Sequence, residues 1–300
     1  NPGPLGKPKG IKVSTSRRMY WDPTDSDKKN PYRKQKATIS ISSKKAATAE
    51  YGTSYNIKSG VTAKDKITKR SLTSKVTYGV TKYSNDKYKK AKFSTKSLGT
   101  YRIKYAVKSS LGVTTTKTFT VRVVDTKAPV ITAKNRTVNI NTTNAVSGVS
   151  AKMASGKSVT SSMSVKIKAP GAGSYTTYSY AKAKAYKFTK AGTYYVQYVA
   201  KNVNKPNRAA TKNVKITVLG DAVIKSTKAV TVEDSATDDQ IKAAVREAIT
   251  ITDNGTTVKS TAATVTVSKD TETGVITATV SYKGKNGKTV TYKVTVTVNV

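Results

Sequence analysis

The sequence predicts an all-β protein in which three tandem β-sandwich domains follow an extended N-terminal arm. Short runs of β-branched residues and Tyr alternate apolar and polar side chains with period two, as at residues 37–42. Clusters of Gly, Asn, Ser and Lys separate these runs. The run at residues 98–108, LGTYRIKYAVK, recurs 93 residues later as AGTYYVQYVAK. Runs that recur in the same order indicate a domain repeat.

The first element is an arm at residues 1–36, which has no periodic pattern and contains five of the eight prolines. It contains Arg17, Arg18, Tyr20 and Trp21, the last being the only Trp of the chain. Trp and Arg are common anchors of protein interfaces. We therefore expect the arm to dock, either on a neighbouring subunit or domain or back on its own first sandwich.

Three repeat units follow, at residues 37–125, 126–219 and 220–300. Units of this size with about seven short strands are typical of immunoglobulin-like sandwiches. The third unit is the most divergent and includes one short helix, predicted by the apolar stripe Ile241, Val245 and Ile249. Residues 237–240 form a capping-box pattern at its start. We expect this helix to pack on its own sandwich rather than on a partner.

The composition excludes most catalytic chemistry, because the chain contains no His and no Cys. Cysteine nucleophiles, histidine bases, thiolate or imidazole metal sites and disulfides all require these residues. Turn formation and helix capping account for the acidic groups at residues 22–27 and 233–239. We expect no enzymatic activity, no cofactor and no metal site. The sequence also has no apolar run of 18 residues that would span a membrane.

The net charge of +39, from 55 basic and 16 acidic residues, is unevenly distributed. Residues 1–125 contain 29 basic and 7 acidic groups, and residues 126–219 contain 16 basic and no acidic groups. Residues 220–300 are nearly neutral, with 10 basic and 9 acidic groups. This division favours contact between the first two-thirds of the chain and a polyanion. Alternatively, Lys on outward strand positions serves solubility and the protection of sheet edges.

Tyrosine dominates the aromatic residues, with 18 Tyr against 3 Phe and one Trp. The spacing of Tyr101, Tyr105, Tyr194 and Tyr198 places them on one face of their strands, where we expect core positions. Other tyrosines stand among lysines or in a Gly/Ser loop, and we expect them to be exposed contacts for a polyanion or an interface. These candidates are Lys82, Tyr83, Lys87, Tyr88, Lys89, Lys90, Tyr175, Tyr178 and Tyr180.

Lysine rather than arginine supplies most of the positive charge, since only 9 of the 55 basic residues are Arg. The sequence also contains no signature motif of a nucleic-acid module, so nucleic acid is an unlikely partner. Lys acts as a point charge that suits teichoic-acid phosphates or acidic glycans.

Two resemblances extend this interpretation. The segments DTKAPVI at residues 125–131 and YNIKSGVTAKD at residues 55–65, together with the Gly-Thr-Tyr strands, resemble bacterial immunoglobulin-like repeats of secreted and cell-surface proteins. The basic, cysteine-free composition is similar to that of lactobacillus surface-layer proteins. In that group, a basic region holds the lattice to anionic wall polymers and another region assembles.

The sequence thus predicts a secreted, non-catalytic structural protein of the cell wall that self-assembles into a surface layer, with itself and an anionic wall polymer such as teichoic acid as partners. One alternative is a cell-surface adhesin stalk or an extracellular filament subunit. Another is a nucleic-acid-binding or virion-associated protein, and an accessory protein of a polysaccharide-degrading enzyme is a more distant possibility.

Overall fold

A computed structural model of the chain describes residues 35–299, so Arg17, Arg18, Tyr20 and Trp21 lie outside the described residues. The described residues form strands with a few short helices, which confirms the predicted all-β fold. The chain divides into two compact units between Asp125 and Thr126.

The first unit is a sandwich of a two-stranded and a five-stranded sheet. In the smaller sheet, β1 (Thr38–Ile41) pairs antiparallel with β3 (Val61–Lys64). The larger sheet has the order β2 (Thr48–Glu50), β7 (Thr114–Val124), β6 (Gly99–Lys108), β4 (Thr77–Ser84) and β5 (Lys87–Lys90). All of its pairs are antiparallel except β2 with β7.

The second unit begins with a sandwich of the same design. Its smaller sheet pairs β8 (Val130–Thr132) with β10 (Ser150–Lys152). Its larger sheet has the order β12 (Thr176–Ser179), β11 (Ser164–Lys168), β13 (Gly192–Lys201), β14 (Ala209–Leu219) and β9 (Arg136–Asn139). Here β9 runs parallel to β14, as β2 runs parallel to β7 in the first unit.

The rest of the second unit forms a sandwich of a three-stranded and a four-stranded sheet. The first sheet has the order β15 (Val223–Ser226), β17 (Ile249–Asp253) and β18 (Thr256–Val258). The second has the order β16 (Val230–Glu233), β21 (Thr289–Asn299), β20 (Ile276–Lys283) and β19 (Thr264–Lys269).

Two α-helices lie in the second unit. The predicted helix is α2 (Asp238–Glu247), and it has the predicted capping box between Thr237 and Gln240. It buries Ile241 and Val245 against the core of its own sandwich, as expected. The third residue of the predicted stripe, Ile249, is not helical, because the helix ends at Glu247 and Ile249 begins β17. An additional five-residue helix, α1 (Tyr180–Lys184), follows β12. Single-turn 3-10 helices lie at Thr73–Lys75, Thr160–Ser162 and Ser260–Ala262.

Three separate apolar cores fill the three sandwiches. The first two contain the four repeat tyrosines Tyr101, Tyr105, Tyr194 and Tyr198, each at most 2% exposed, which confirms their predicted core positions. The hydroxyl of Tyr198 donates to the carbonyl oxygen of Val146 at 2.9 Å, so the buried polar end has a partner. The exact domain limits at residues 37–125, 126–219 and 220–300 stay a prediction.

Amide side chains form hydrogen bonds at the junction of the second and third sandwiches, and the bond between Asn139 and Asn286 crosses from one to the other. Asn139 Nδ2 donates to the carbonyl oxygen of Asn286 at 2.9 Å, and the Gly220 N–H donates to Asn254 Oδ1 at 2.7 Å. Asn286 Nδ2 in turn donates to Asp221 Oδ1 at 2.7 Å. These bonds satisfy polar groups that would otherwise be poorly hydrated at the junction.

Candidate functional site

A basic surface lies on the outer face of the five-stranded sheet in the first unit. Because side chains alternate along a strand, burial of Tyr101, Ile103 and Tyr105 turns Arg102 and Lys104 outward. Across the sheet, Arg102 pairs in register with Thr81, and Thr81 pairs with Lys90.

Two tyrosines extend this basic face along the β4–β5 hairpin. Tyr83 and Tyr88 are directly opposite each other, and their ring centroids are 5.1 Å apart. The Arg102 guanidinium carbon lies 3.8 Å from the centroid of the Tyr88 ring, which is a close cation–π contact. Tyr83 is 46% exposed. We call Tyr83, Tyr88, Lys90, Arg102 and Lys104 the cationic face.

The structure separates the six hairpin candidates onto two sides. Tyr83, Tyr88 and Lys90 belong to the cationic face, whereas the alternation of strand side chains places Lys82, Lys87 and Lys89 on the opposite side. Lys82 is half-buried there, and its Nζ donates to Ser97 Oγ at 2.7 Å. The predicted basic cluster is therefore not a single patch.

Three tyrosines were predicted to lie exposed in a loop, and this prediction is wrong for two of them. Tyr178 lies in β12 and packs edge-on against Tyr186, with 5.5 Å between ring centroids. Tyr180 begins α1 and is half-buried against the core. Only Tyr175, 38% exposed, keeps the expected position among these three. The loop is short because hairpin pairing and the helix take up its residues.

The second sandwich has an outer face of similar chemistry that the sequence did not single out. Tyr195 is 44% exposed there, and Lys215 Nζ lies 5.8 Å from its ring centroid. Lys168 is opposite Tyr195 on the neighbouring strand. Tyr195 occupies the place of Arg102 in the repeated strand, so alignment of the two copies could have identified it.

The corresponding face of the third sandwich has fewer cations. Thr277 and Thr279 occupy the positions of Arg102 and Lys104 on the central strand. Thr295 is the partner of Thr277, whereas Thr279 lies between Thr266 and the exposed Lys293. The uneven charge of the sequence therefore corresponds to a change in the same structural position from one sandwich to the next.

Two further observations concern metal and membrane. Within residues 35–299, no group of three or more Asp, Glu, His or Cys side chains is placed to hold a metal ion. The helices in that range are too short or too polar to cross a bilayer.

No family model matches the chain, and no curated protein matches it. The chain is similar to solved structures of cadherin repeats. Protocadherin gammaB7 EC3-6, solved as a cis-dimer, is 14% identical with a TM-score of 0.33, over 88% of this chain and 76% of that chain. Mouse cadherin-23 EC22-24 is 12% identical with a TM-score of 0.33, over 88% of this chain and 99% of that chain. Human CDH23 EC21-23 is 12% identical with a TM-score of 0.39, over 88% of this chain and 99% of that chain.

Proposed function

We propose that this chain is a non-catalytic, extracellular structural protein that self-assembles at the cell surface as a surface-layer subunit. Its basic first two-thirds contact an anionic cell-wall polymer such as teichoic acid. The observation that carries this proposal is the cationic face, where the exposed Tyr83, the half-buried Tyr88 and cationic side chains lie together on a sheet surface.

The chemistry of the cationic face suits a flexible, repeating polyanion. Lysine and arginine neutralise phosphate or carboxylate groups, and the tyrosine rings offer flat apolar contacts to sugar or polyol units. Residues 126–219 contain no acidic residue that would repel such a polymer, and their outer face repeats the pairing of Lys with Tyr. A polymer with many weak contacts binds well because successive contacts act at high effective concentration.

The first experiment measures binding of the full chain to purified cell walls that carry teichoic acid, over a series of salt concentrations. We expect binding to weaken steeply with salt, because exposed charges are screened over about 8 Å at physiological ionic strength. The variant Tyr88→Ala with Arg102→Gln should lower the affinity by about threefold to tenfold, since it removes one charge and one stacked ring.

The control is Lys293→Gln in the third sandwich, which also removes one charge from the outer face of a sheet. We expect it to bind cell walls as the unaltered chain does. Equal loss of binding in both variants would contradict the assignment to the cationic face. Duplex DNA in the same titration tests the alternative partner, and DNA binding tighter than wall binding would favour a nucleic-acid role.

A further inference from the structure

A groove lies in the first unit beside strand β4, and its volume is about 1100 Å³. Aromatic rings of Tyr55, Tyr78 and Phe93 line it. The rings of Tyr55 and Phe93 are 5.5 Å apart, and Tyr78 is 44% exposed. An exposed apolar surface of this kind in a strongly charged chain is a candidate for contact with another molecule.

The groove contains a stretch of sheet edge with no strand beside it. Strand β5 covers β4 only at residues 81–84, and the Ala91 N–H donates to the carbonyl oxygen of Val80. Within the described residues, no strand pairs with residues 77–79 on the side away from β6. Gly79 in this stretch leaves open space above the backbone. Such an edge can accept an added β-strand.

Four cationic side chains surround this edge, and no acidic residue lines the groove. They are Lys90, Lys92, Arg102 and Lys104. A strand that enters here has to carry negative charge, because it brings its side chains close to these cations.

The third sandwich presents a strand with this character. Strand β16 is the edge strand of its sheet, and Glu233 at its end is followed directly by Asp234. Both carboxylates are exposed. In a chain with only 16 acidic residues, this strand end and the following helix start concentrate four of them within seven positions.

We propose that two copies of the chain associate head to tail, with the edge of β16 of one copy added to the free edge of β4 in the groove of another. Glu233 and Asp234 then face the groove cations. The two surfaces are different, so a pair joined by one contact keeps one free groove and one free β16 edge, to which further copies add. This inference rests on the proposed function in its self-assembly. Lys90, Arg102 and Lys104 belong both to the groove and to the cationic face, so variants of the acidic strand separate the two proposals.

Reversal of charge on each side tests this contact in the full chain. The groove variant is Lys92→Glu with Lys104→Glu, and the strand variant is Glu233→Lys with Asp234→Lys. Sedimentation velocity at low ionic strength should show concentration-dependent oligomers for the unaltered chain. We expect each variant alone to require at least about a tenfold higher concentration to associate, because like charges meet in the contact.

An equal mixture of the two variants provides the decisive measurement. The intact strand of the groove variant fits the intact groove of the strand variant, and the two reversed surfaces also attract, so mixing should restore oligomers. Circular dichroism and thermal melting identify variants that have not folded. The proposal is overturned if the unaltered chain stays monomeric, if either variant assembles as the unaltered chain does, or if two folded variants fail to assemble when mixed.

Binding to cell walls separates this proposal from the preceding one. The strand variant keeps the cationic face, so it should bind walls at least as well as the unaltered chain even though it does not assemble.

Discussion

At the scale of single residues, a buried carboxylate stabilises each of two hairpins. Asp65, 1% exposed, accepts hydrogen bonds from the backbone N–H groups of Ser110 at 2.6 Å, Ile67 at 2.9 Å and Thr68 at 3.0 Å. In the third sandwich, Asp253 at the end of β17 plays the same part, since it accepts a hydrogen bond from the backbone N–H of Lys285 at 2.8 Å. In both cases, an acid at the end of one strand holds the turn between two long strands.

The pKa of Asp65 follows from these contacts. Burial disfavours the charged form and raises the pKa, but the N–H groups of Ser110, Thr68 and Ile67 outweigh it and lower the pKa to about 2. Because the folded pKa lies below the unfolded value, the ionised carboxylate stabilises the fold above about pH 4. This stabilisation is lost as the pH falls from about 4 to 2.

We predict that Asp65→Asn lowers the free energy of unfolding by about 2 kcal/mol at pH 7, because a lowered pKa of this size corresponds to that energy. Urea denaturation at pH 7 and pH 3 measures the effect, and the difference between the variant and the unaltered chain should shrink at pH 3. Asp86→Asn, at an exposed turn, is the control and should change stability by less than about 0.5 kcal/mol. A constant difference at both pH values would show that ionisation of Asp65 is not the cause.

At the scale of elements, the sequence pattern predicted the features that depend on neighbouring residues in the chain, namely the strands and the capped helix. Period two identified the strands, and the repeated Gly-Thr-Tyr run corresponds to the matched ten-residue strands β6 and β13. The contact between Arg102 and Tyr88 could not be predicted, because it depends on which strands are neighbours in the sheet. Helix α1 is too short to show an apolar stripe, so only its cap at Ser179 marks it.

The capping box at the start of helix α2 contributes to the stability of the fold. The Gln240 N–H donates to Thr237 Oγ1 at 3.4 Å, and the Thr237 N–H donates to Gln240 Oε1 at 2.8 Å. We predict that Thr237→Ala lowers the free energy of unfolding by about 1 kcal/mol, the usual contribution of an N-cap. Thr237→Ser keeps the hydroxyl and should stay within about 0.3 kcal/mol of the unaltered chain. Equal losses in both variants, measured by urea denaturation, would assign the effect to the methyl group and not to the cap.

At the scale of the whole molecule, the sandwiches keep apolar residues at the inward positions of their long strands and vary the charge of the residues at the outward positions. Inward positions of the long strands hold Tyr, Ile and Val in the first two sandwiches and Ile, Ala and Val in the third. The outward positions change from Arg and Lys to Thr, so the surface charge can change without a change of core. This separation explains why the core tyrosines were predictable from sequence, whereas the composition of each outer face required the strand register.

The net charge of +39 lowers the stability of the folded state through repulsion among many basic residues. Ion pairs of the third sandwich, such as Lys228 with Glu247 at 3.8 Å, are exposed, and such pairs contribute little. Residues 126–219 contain 16 basic residues and no acidic residue, so their mutual repulsion destabilises the folded state.

We therefore predict that added NaCl raises the melting temperature, by about 4 °C between 20 mM and 500 mM, because screening weakens repulsion among cations. Calorimetry at a protein concentration where the chain is monomeric separates this effect from assembly. Sucrose at the same osmolality is the control, since it does not screen charge and should not reproduce the dependence at low salt. A melting temperature that falls with NaCl would mean that attractive pairs outweigh the repulsion, despite the shortage of acidic groups.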